Sequence, residues 1–270
     1  MSRLAAALQD LRALESLAQR ETELARRDPR AKLAVTLCFI VTVLSFGRYQ
    51  VAALLPLALF PVMLSAQAEV PARVLRRTLW LASPFALMVG LANPWFDRTP
   101  MLALGGIEFS AGWVSFASIV LRVTLTVSAS VVLLGSTGMH ALCIGLSRLG
   151  VPRVFTAQLL FLQRYLHVLA EEALRMSTAQ HLRAAPGRRL PLTLYASLMG
   201  QLLLRAFDRG ARVQQAMLAR GFDGELRLAA PWRWQRADTM FVGLWCGYFA
   251  LVRAVDLPLA LGRLITSAWA

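Results

Sequence analysis

Negative charge is scarce in this chain. Its 270 residues hold 15 aspartates and glutamates against 29 lysines and arginines, a formal charge of +14. Charged residues of either sign reach only 16% and apolar residues 57%, where a soluble domain has about 25% and about 45–50%. That shortage excludes an ordinary soluble globular domain. Cysteine is scarce too: Cys38, Cys143 and Cys246 lie far apart, with neither zinc nor redox spacing, and read as small core hydrophobes. The histidines His140, His167 and His181 show no His-Glu-x-x-His spacing and no carboxylate cluster, so no metal site is expected in this chain. A Gly-x-x-x-x-Gly-Lys-Ser/Thr phosphate loop is missing, which places any ATP hydrolysis elsewhere. With no nucleophile, base or metal constellation, an enzyme is not expected. Residues 1–30 lack the compact apolar stretch of a signal peptide. Leu4, Leu8 and Leu11 instead recur at helical spacing, which suggests an amphipathic cytoplasmic segment.

What is present is apolar length, with a mean hydropathy of +0.54. Asp28-Pro29 reads as a helix start, because proline suits a first helical position. The spans that follow are expected at about Ala31–Phe46, Val51–Ala66, Leu79–Trp95, Trp113–Leu134 and Met240–Val255. Pro56 and Pro61 predict kinks in the second of these. Leu257–Ala270 is too short to cross with assurance, so the count is five spans with a sixth left open. Arg73, Arg76 and Arg77 mark a cytoplasmic loop, and the loop from Phe96 to Gly112, with no basic cluster, belongs outside. The positive-inside rule thus puts the N-terminus in the cytoplasm and accounts for the net charge without nucleic acid. The class is an all-α polytopic helical bundle. Its expected parts are a cytoplasmic amphipathic segment (1–30), spans one to four (31–136), cytoplasmic coupling helices (137–237) and a C-terminal membrane segment (238–270).

From Gly135 to Ala237 fourteen arginines interrupt the apolar residues, and the pattern turns amphipathic. Phe155, Leu159, Leu162 and Leu166 share a helix face, with Glu171 and Arg175 spaced i,i+4 on the polar side. Residues 154–184 read as one long helix stopped by Pro186-Gly187. The chain returns through Leu190–Phe207, and a further helix from about Asp208 stops at Gly221. Arg183 and Arg220 therefore sit in the last turns of two helices, as Leu182-Arg183-Ala184 and Ala219-Arg220-Gly221. Each arginine could serve its own helix dipole, worth about 0.3–1 kcal/mol. Their matched placement equally suits docking, since a guanidinium binds carboxylates bidentately and keeps its charge. Arg122 is the one charge well inside a span, a position that is functional by default or held by a partner within the bundle. Small residues at Ser128, Ala129, Ser130, Gly135 and Ser136 permit close packing, within the chain or against a partner.

These residues resemble a known family. Arg27-Asp28-Pro29-Arg30-Ala31-Lys32-Leu33 is similar to the opening of the first span in the T components of energy-coupling factor transporters. Leu149-Gly150-Val151-Pro152, Arg164-Tyr165-Leu166 and Glu171-Glu172-Ala173-Leu174-Arg175-Met176 resemble the cobalt/nickel branch, the CbiQ type. Gln215–Gly224 is similar to the second coupling motif of that family, whose core is Ala-Arg-Gly. The resemblance covers residues 20 to 255 approximately. One departure is Ala184, where the first motif usually carries glycine or serine.

The resemblance implies a transmembrane scaffold in the bacterial inner membrane. It would join two ABC-type ATPases to a substrate-binding membrane S component (CbiM-like), with room for a small accessory membrane subunit and with lipid around it. Arg183 and Arg220 would each enter an acidic groove on an ATPase. ATP and Mg would be held by those partners, and no cofactor by this chain. The cargo implied is a cobalt or nickel ion. A T component of a vitamin importer is the nearest alternative, and a stand-alone secondary transporter or a membrane enzyme are more distant ones.

Overall fold

A computed structural model of the protein describes residues 20, 22–96, 100–104, 107–183, 192–222 and 233–255. The expected N-terminal amphipathic segment, Ala184 with the turn after it, and the stretch from Leu257 lie outside the described residues. The chain divides into two compact units, one holding the described residues up to Gly138 together with 233–255, the other those from Met139 to Phe222.

The first unit opens with a single turn, α1 (Glu23–Arg26), and then α2 (Pro29–Ser45). Asp28 caps α2, its carboxylate accepting from the Arg30 amide at 2.9 Å, and Pro29 takes the first helical position, where a missing N–H costs nothing. The next apolar stretch bends without breaking. It runs as α3 (Val51–Leu54), a 3₁₀ turn (Pro56–Ala58) and α4 (Leu59–Gln67), because proline denies the α-helix an amide at position 56.

α5 (Ala72–Leu91) begins well before the expected start at Leu79. Arg73, Arg76 and Arg77 are therefore on the helix and not in a loop, since nothing in 72–78 breaks a helix. Pro84 sits inside α5, and the carbonyl it orphans, that of Trp80, accepts instead from the Ser83 hydroxyl at 2.9 Å. After α6 (Asn93–Phe96) comes an antiparallel hairpin, β1 (Pro100–Leu104) and β2 (Ile107–Ser110), where only a loop was expected. It is the one strand pair among the described residues.

α7 (Ala111–Arg148) extends past the expected Leu134 and is interrupted at Gly138, where φ 73 and ψ 155 leave helical space. Only glycine adopts that conformation readily. α10 (Arg236–Ala254) closes the unit on the other side of the sequence. Its N-terminus is capped reciprocally by Gln235 and Asp238.

An aromatic cluster joins these helices. Phe39 of α2 lies 4.6 Å from Phe60 of α4 between ring centroids, and Phe60 meets Trp245 of α10 edge-on at 4.8 Å. Phe249 packs on both phenylalanines, and Tyr248 donates its hydroxyl to the Pro56 carbonyl at 2.7 Å. The small residues Ser128, Ala129 and Ser136 are buried within the chain, and Gly135 faces Val70, so they serve internal packing. Outward, α5 presents Trp80, Leu81, Phe85 and Met88, each more than 70% exposed. A soluble protein does not leave so large an apolar face in water. Two helices, Ala72–Trp95 (α5 continued into α6) and α7, are long and apolar enough to cross a bilayer. The protein is an all-α membrane protein.

Candidate coupling site

Two long helices dominate the second unit, α8 (Arg153–Arg183) and α9 (Leu192–Leu218). α9 is continuous through Asp208, where the sequence suggested a new start. Leu203, Leu204, Arg205, Ala206 and Phe207 lead into Asp208 without a breaker, and Gly210 alone is too weak to end a helix held by its neighbours. The pair is antiparallel. Phe161 and Tyr165 of α8 share one cavity of about 420 Å³ with Val213 and Met217 of α9. Leu174 and Ser177 share another, of about 180 Å³, with Leu198 and Met199. Arg205 pairs with Glu172 across the two helices, and Arg175 with Glu171 at 3.6 Å along α8, as the i,i+4 spacing predicts.

This arrangement decides where the arginines go. Arg183 is the last residue of α8, and Arg220 lies just beyond α9. In an antiparallel pair those ends point opposite ways. From Gln158, beside the Arg220 end, to Arg183 is about 37 Å of helix at about 1.5 Å per residue. The two are not brought together; they are held apart. Both are exposed, with exposed leucines beside them at Leu182 and Leu218.

The Arg220 end is tightly specified. The Phe222 amide donates to the Met217 carbonyl and the Gly221 amide to the Leu218 carbonyl, both at 3.0 Å. With Gly221 at φ 77, this is the Schellman termination, in which a left-handed residue closes the last turn and satisfies its carbonyls. Phe222 then folds back toward Met217 and Tyr165 in the shared cavity. Arg220 is thereby held on a fixed turn with its side chain outward. Ala219 precedes it on the same exposed turn.

Arg122 sits in the first unit. Its guanidinium donates to the carbonyls of Phe46 at 2.9 Å and Gly47 at 2.8 Å, and to the Ser118 hydroxyl at 3.2 Å. A cation thus closes the C-terminal end of α2, where the helix leaves carbonyls without amides.

A further cluster escaped the reading of the sequence. Lys32 is 3% exposed, and its ammonium donates to the Ser136 carbonyl at 3.2 Å, two residues before the break at Gly138. The carboxylates of Asp238 and Asp28, 3% and 2% exposed, act on its charge. The Asp28 amide donates to Asp238 at 3.2 Å, the Gln235 amide to the same carboxylate at 2.9 Å, and Arg30 lies 3.7 Å from Asp28. Two cations and two anions therefore tie the start of α2, the start of α10 and the end of the regular part of α7. One signal was available: Lys32 is the only lysine among 29 basic residues, and it falls one turn inside an apolar helix.

Among the described residues no group of three or more His, Cys, Asp or Glu could hold a metal ion. The architecture is that of an all-α integral membrane protein with a pair of long, arginine-ended amphipathic helices. Residues 21–230 match the sequence model of one family, described as CbiQ, cobalt transport protein. The chain belongs to that family. It is similar to the "Cobalt transport protein CbiQ" of Rhodobacter capsulatus, 34% identical over 113 residues, and to that of Salmonella typhimurium, 29% over 145. Those stretches cover 42% and 48% of this chain, and 46% and 64% of the respective relatives. The match thus spans less than two thirds of either relative.

Proposed function

We propose that this chain is the transmembrane coupling subunit of an energy-coupling factor importer for cobalt ions, multi-pass in the bacterial inner membrane with its N-terminus inside. It performs no catalysis. Two ABC-type ATPases bind and hydrolyse ATP with Mg, and a substrate-binding membrane subunit supplies the ligands for the ion. The observation that carries this reading is the placement of two exposed arginines at opposite ends of an antiparallel helix pair, with about 37 Å of helix along α8 between those ends. One rigid unit can then engage two separate subunits at once. Each arginine, fixed on a helix end, enters an acidic groove on one ATPase.

Closure of the ATPases on ATP moves the two contact points, and α8 and α9 carry that movement to the substrate-binding subunit. Both helices leave apolar side chains uncovered, such as Phe155 and Leu162 on α8 and Met199 and Phe207 on α9, and that subunit covers them. Different contacts in the two nucleotide states are the thermodynamic requirement for such coupling.

Co-purification in detergent with the two ATPases tests the reading, using wild type, Arg183→Glu, Arg220→Glu and the double variant. Each single reversal is expected to loosen one ATPase, and the double to lose both, with membrane insertion unchanged. Equal retention in all four samples would reduce the arginines to helix caps.

A further inference from the structure

A groove of about 640 Å³ runs along the first unit between α4 and α10. Its walls are apolar and open outward, with Leu59, Met63, Met240, Leu244 and Leu251 all exposed. Gly247 also lines it, exposed, and a Cβ added there would meet nothing within 4 Å. One end is different. Arg27 lines it, with its guanidinium 4.8 Å from the centroid of the Phe241 ring and one N–H donated to the Ala237 carbonyl at 2.9 Å. Among the described residues that line the groove there is no carboxylate. Exposed Arg233 and Arg236 flank the same end in sequence, and Trp234, also exposed, donates its indole N–H to Thr239 at 2.8 Å. Tryptophan and arginine together mark the level of the lipid headgroups.

The dimensions fit one leaflet. α10 rises about 21 Å between Ala237 and Leu251, a little more than the ~15 Å half-thickness of a hydrocarbon core. We infer that this groove is a binding site for one anionic phospholipid, its phosphate on Arg27 and an acyl chain laid between α4 and α10. The remaining guanidinium donors of Arg27 suit phosphate oxygens, and basic pockets between spans on the cytoplasmic side bind such headgroups. A partner helix fits the groove less well. An apolar helix laid there would cover the guanidinium without supplying an anion, and a buried unpaired charge is costly.

The inference rests on the stretch from Val51 through α4 and on α10 being the membrane spans the sequence leads one to expect, with Arg27 inside as proposed above, but its test reads lipid and not transport. Carbonate-resistant membrane insertion of the wild type checks the span reading separately. The full chain is purified from nanodiscs of phosphatidylglycerol or phosphatidylcholine, and bound lipid is counted by native mass spectrometry. Variants are Arg27→Gln, Arg27→Lys and Gly247→Leu, each checked for a sharp melting transition.

Wild type is expected to retain one phosphatidylglycerol in preference to phosphatidylcholine. Arg27→Gln is expected to lower that preference about fivefold, the worth of one basic residue at an anionic surface, and Arg27→Lys to keep most of it. Gly247→Leu puts a large side chain into the open space along the groove and is expected to displace either lipid. Equal retention of both lipids, unchanged in Arg27→Gln, overturns the proposal. So does a lipid-free wild type whose Gly247→Leu variant loses a co-purifying membrane subunit, which would assign the groove to a protein helix.

Discussion

Lys32→Met takes one cation out of a cluster that is neutral as folded. Lys32 and Arg30 stand against Asp28 and Asp238, and both carboxylates are at most 3% exposed. Methionine fills the same space, so the change is electrostatic and not a cavity. Two costs follow. Buried negative charge is left without its buried partner, for which removal of one member costs about 3–5 kcal/mol. The Ser136 carbonyl also loses the Lys32 donor beside the break in α7, a loss of about 1–3 kcal/mol that overlaps the first. The total expected is about 4 kcal/mol, a drop on the order of 10 °C in melting temperature.

The assay is thermal melting in detergent, followed by tryptophan fluorescence. Lys32→Met with Asp238→Asn restores neutrality but leaves one acceptor oxygen where the Asp28 and Gln235 amides each had one, so it should recover only part of the loss. A single variant within about 1 kcal/mol of wild type would refute the reasoning, and so would a double variant less stable than the single.

Three smaller perturbations test other parts of the structure. Gly90→Ala puts a Cβ 2.7 Å from a ring carbon of Phe116, so it should destabilise by about 1–3 kcal/mol, and Phe116→Leu in the same chain should relieve it in a melting experiment. Gly221→Ala forces a side chain onto a backbone at φ 77 and should cost about 1 kcal/mol. Under the proposed function, binding of the Arg220 end to the ATPase proposed for it should weaken about fivefold in a titration, whereas Gly221→Asn should be tolerated better. Glu69 stands at φ 50 and makes an exposed, 4.0 Å ion pair with Arg20. Glu69→Gly should therefore raise stability by about 1 kcal/mol, because the strain relieved exceeds what such a pair is worth.

Much of the fold was legible because it follows from local rules. Apolar length and proline position predict where α2, the bent stretch from Val51, α7 and α10 lie, and the Asp28-Pro29 start of α2 is a capping rule seen in the structure. The i,i+4 pair of Glu171 and Arg175 is likewise a consequence of helical spacing. Boundaries were less legible. α5 takes in Arg73, Arg76 and Arg77, since a basic residue signals a membrane surface but does not end a helix. The hairpin at 100–110 is itself local: Gly105-Gly106 between two short apolar stretches is the signal of a two-residue hairpin, which reading the segment as an outside loop passed over. The uninterrupted α9 follows from the lack of a breaker before Asp208.

The sequence by itself determined that this protein is helical, membrane-embedded, poor in catalytic groups and furnished with two arginine-ended helices. Composition and period suffice for that, because they decide which surfaces can meet lipid and which helices can form. Only the tertiary structure decided that α8 and α9 run antiparallel and so hold Arg183 and Arg220 far apart. It alone gave Arg122 the carbonyls of Phe46 and Gly47, and brought Asp238 to Asp28 and Lys32 from more than two hundred residues away in the chain. Buried charges must find opposite charges or carbonyls wherever the fold brings them, and distance along the chain says nothing about where that is.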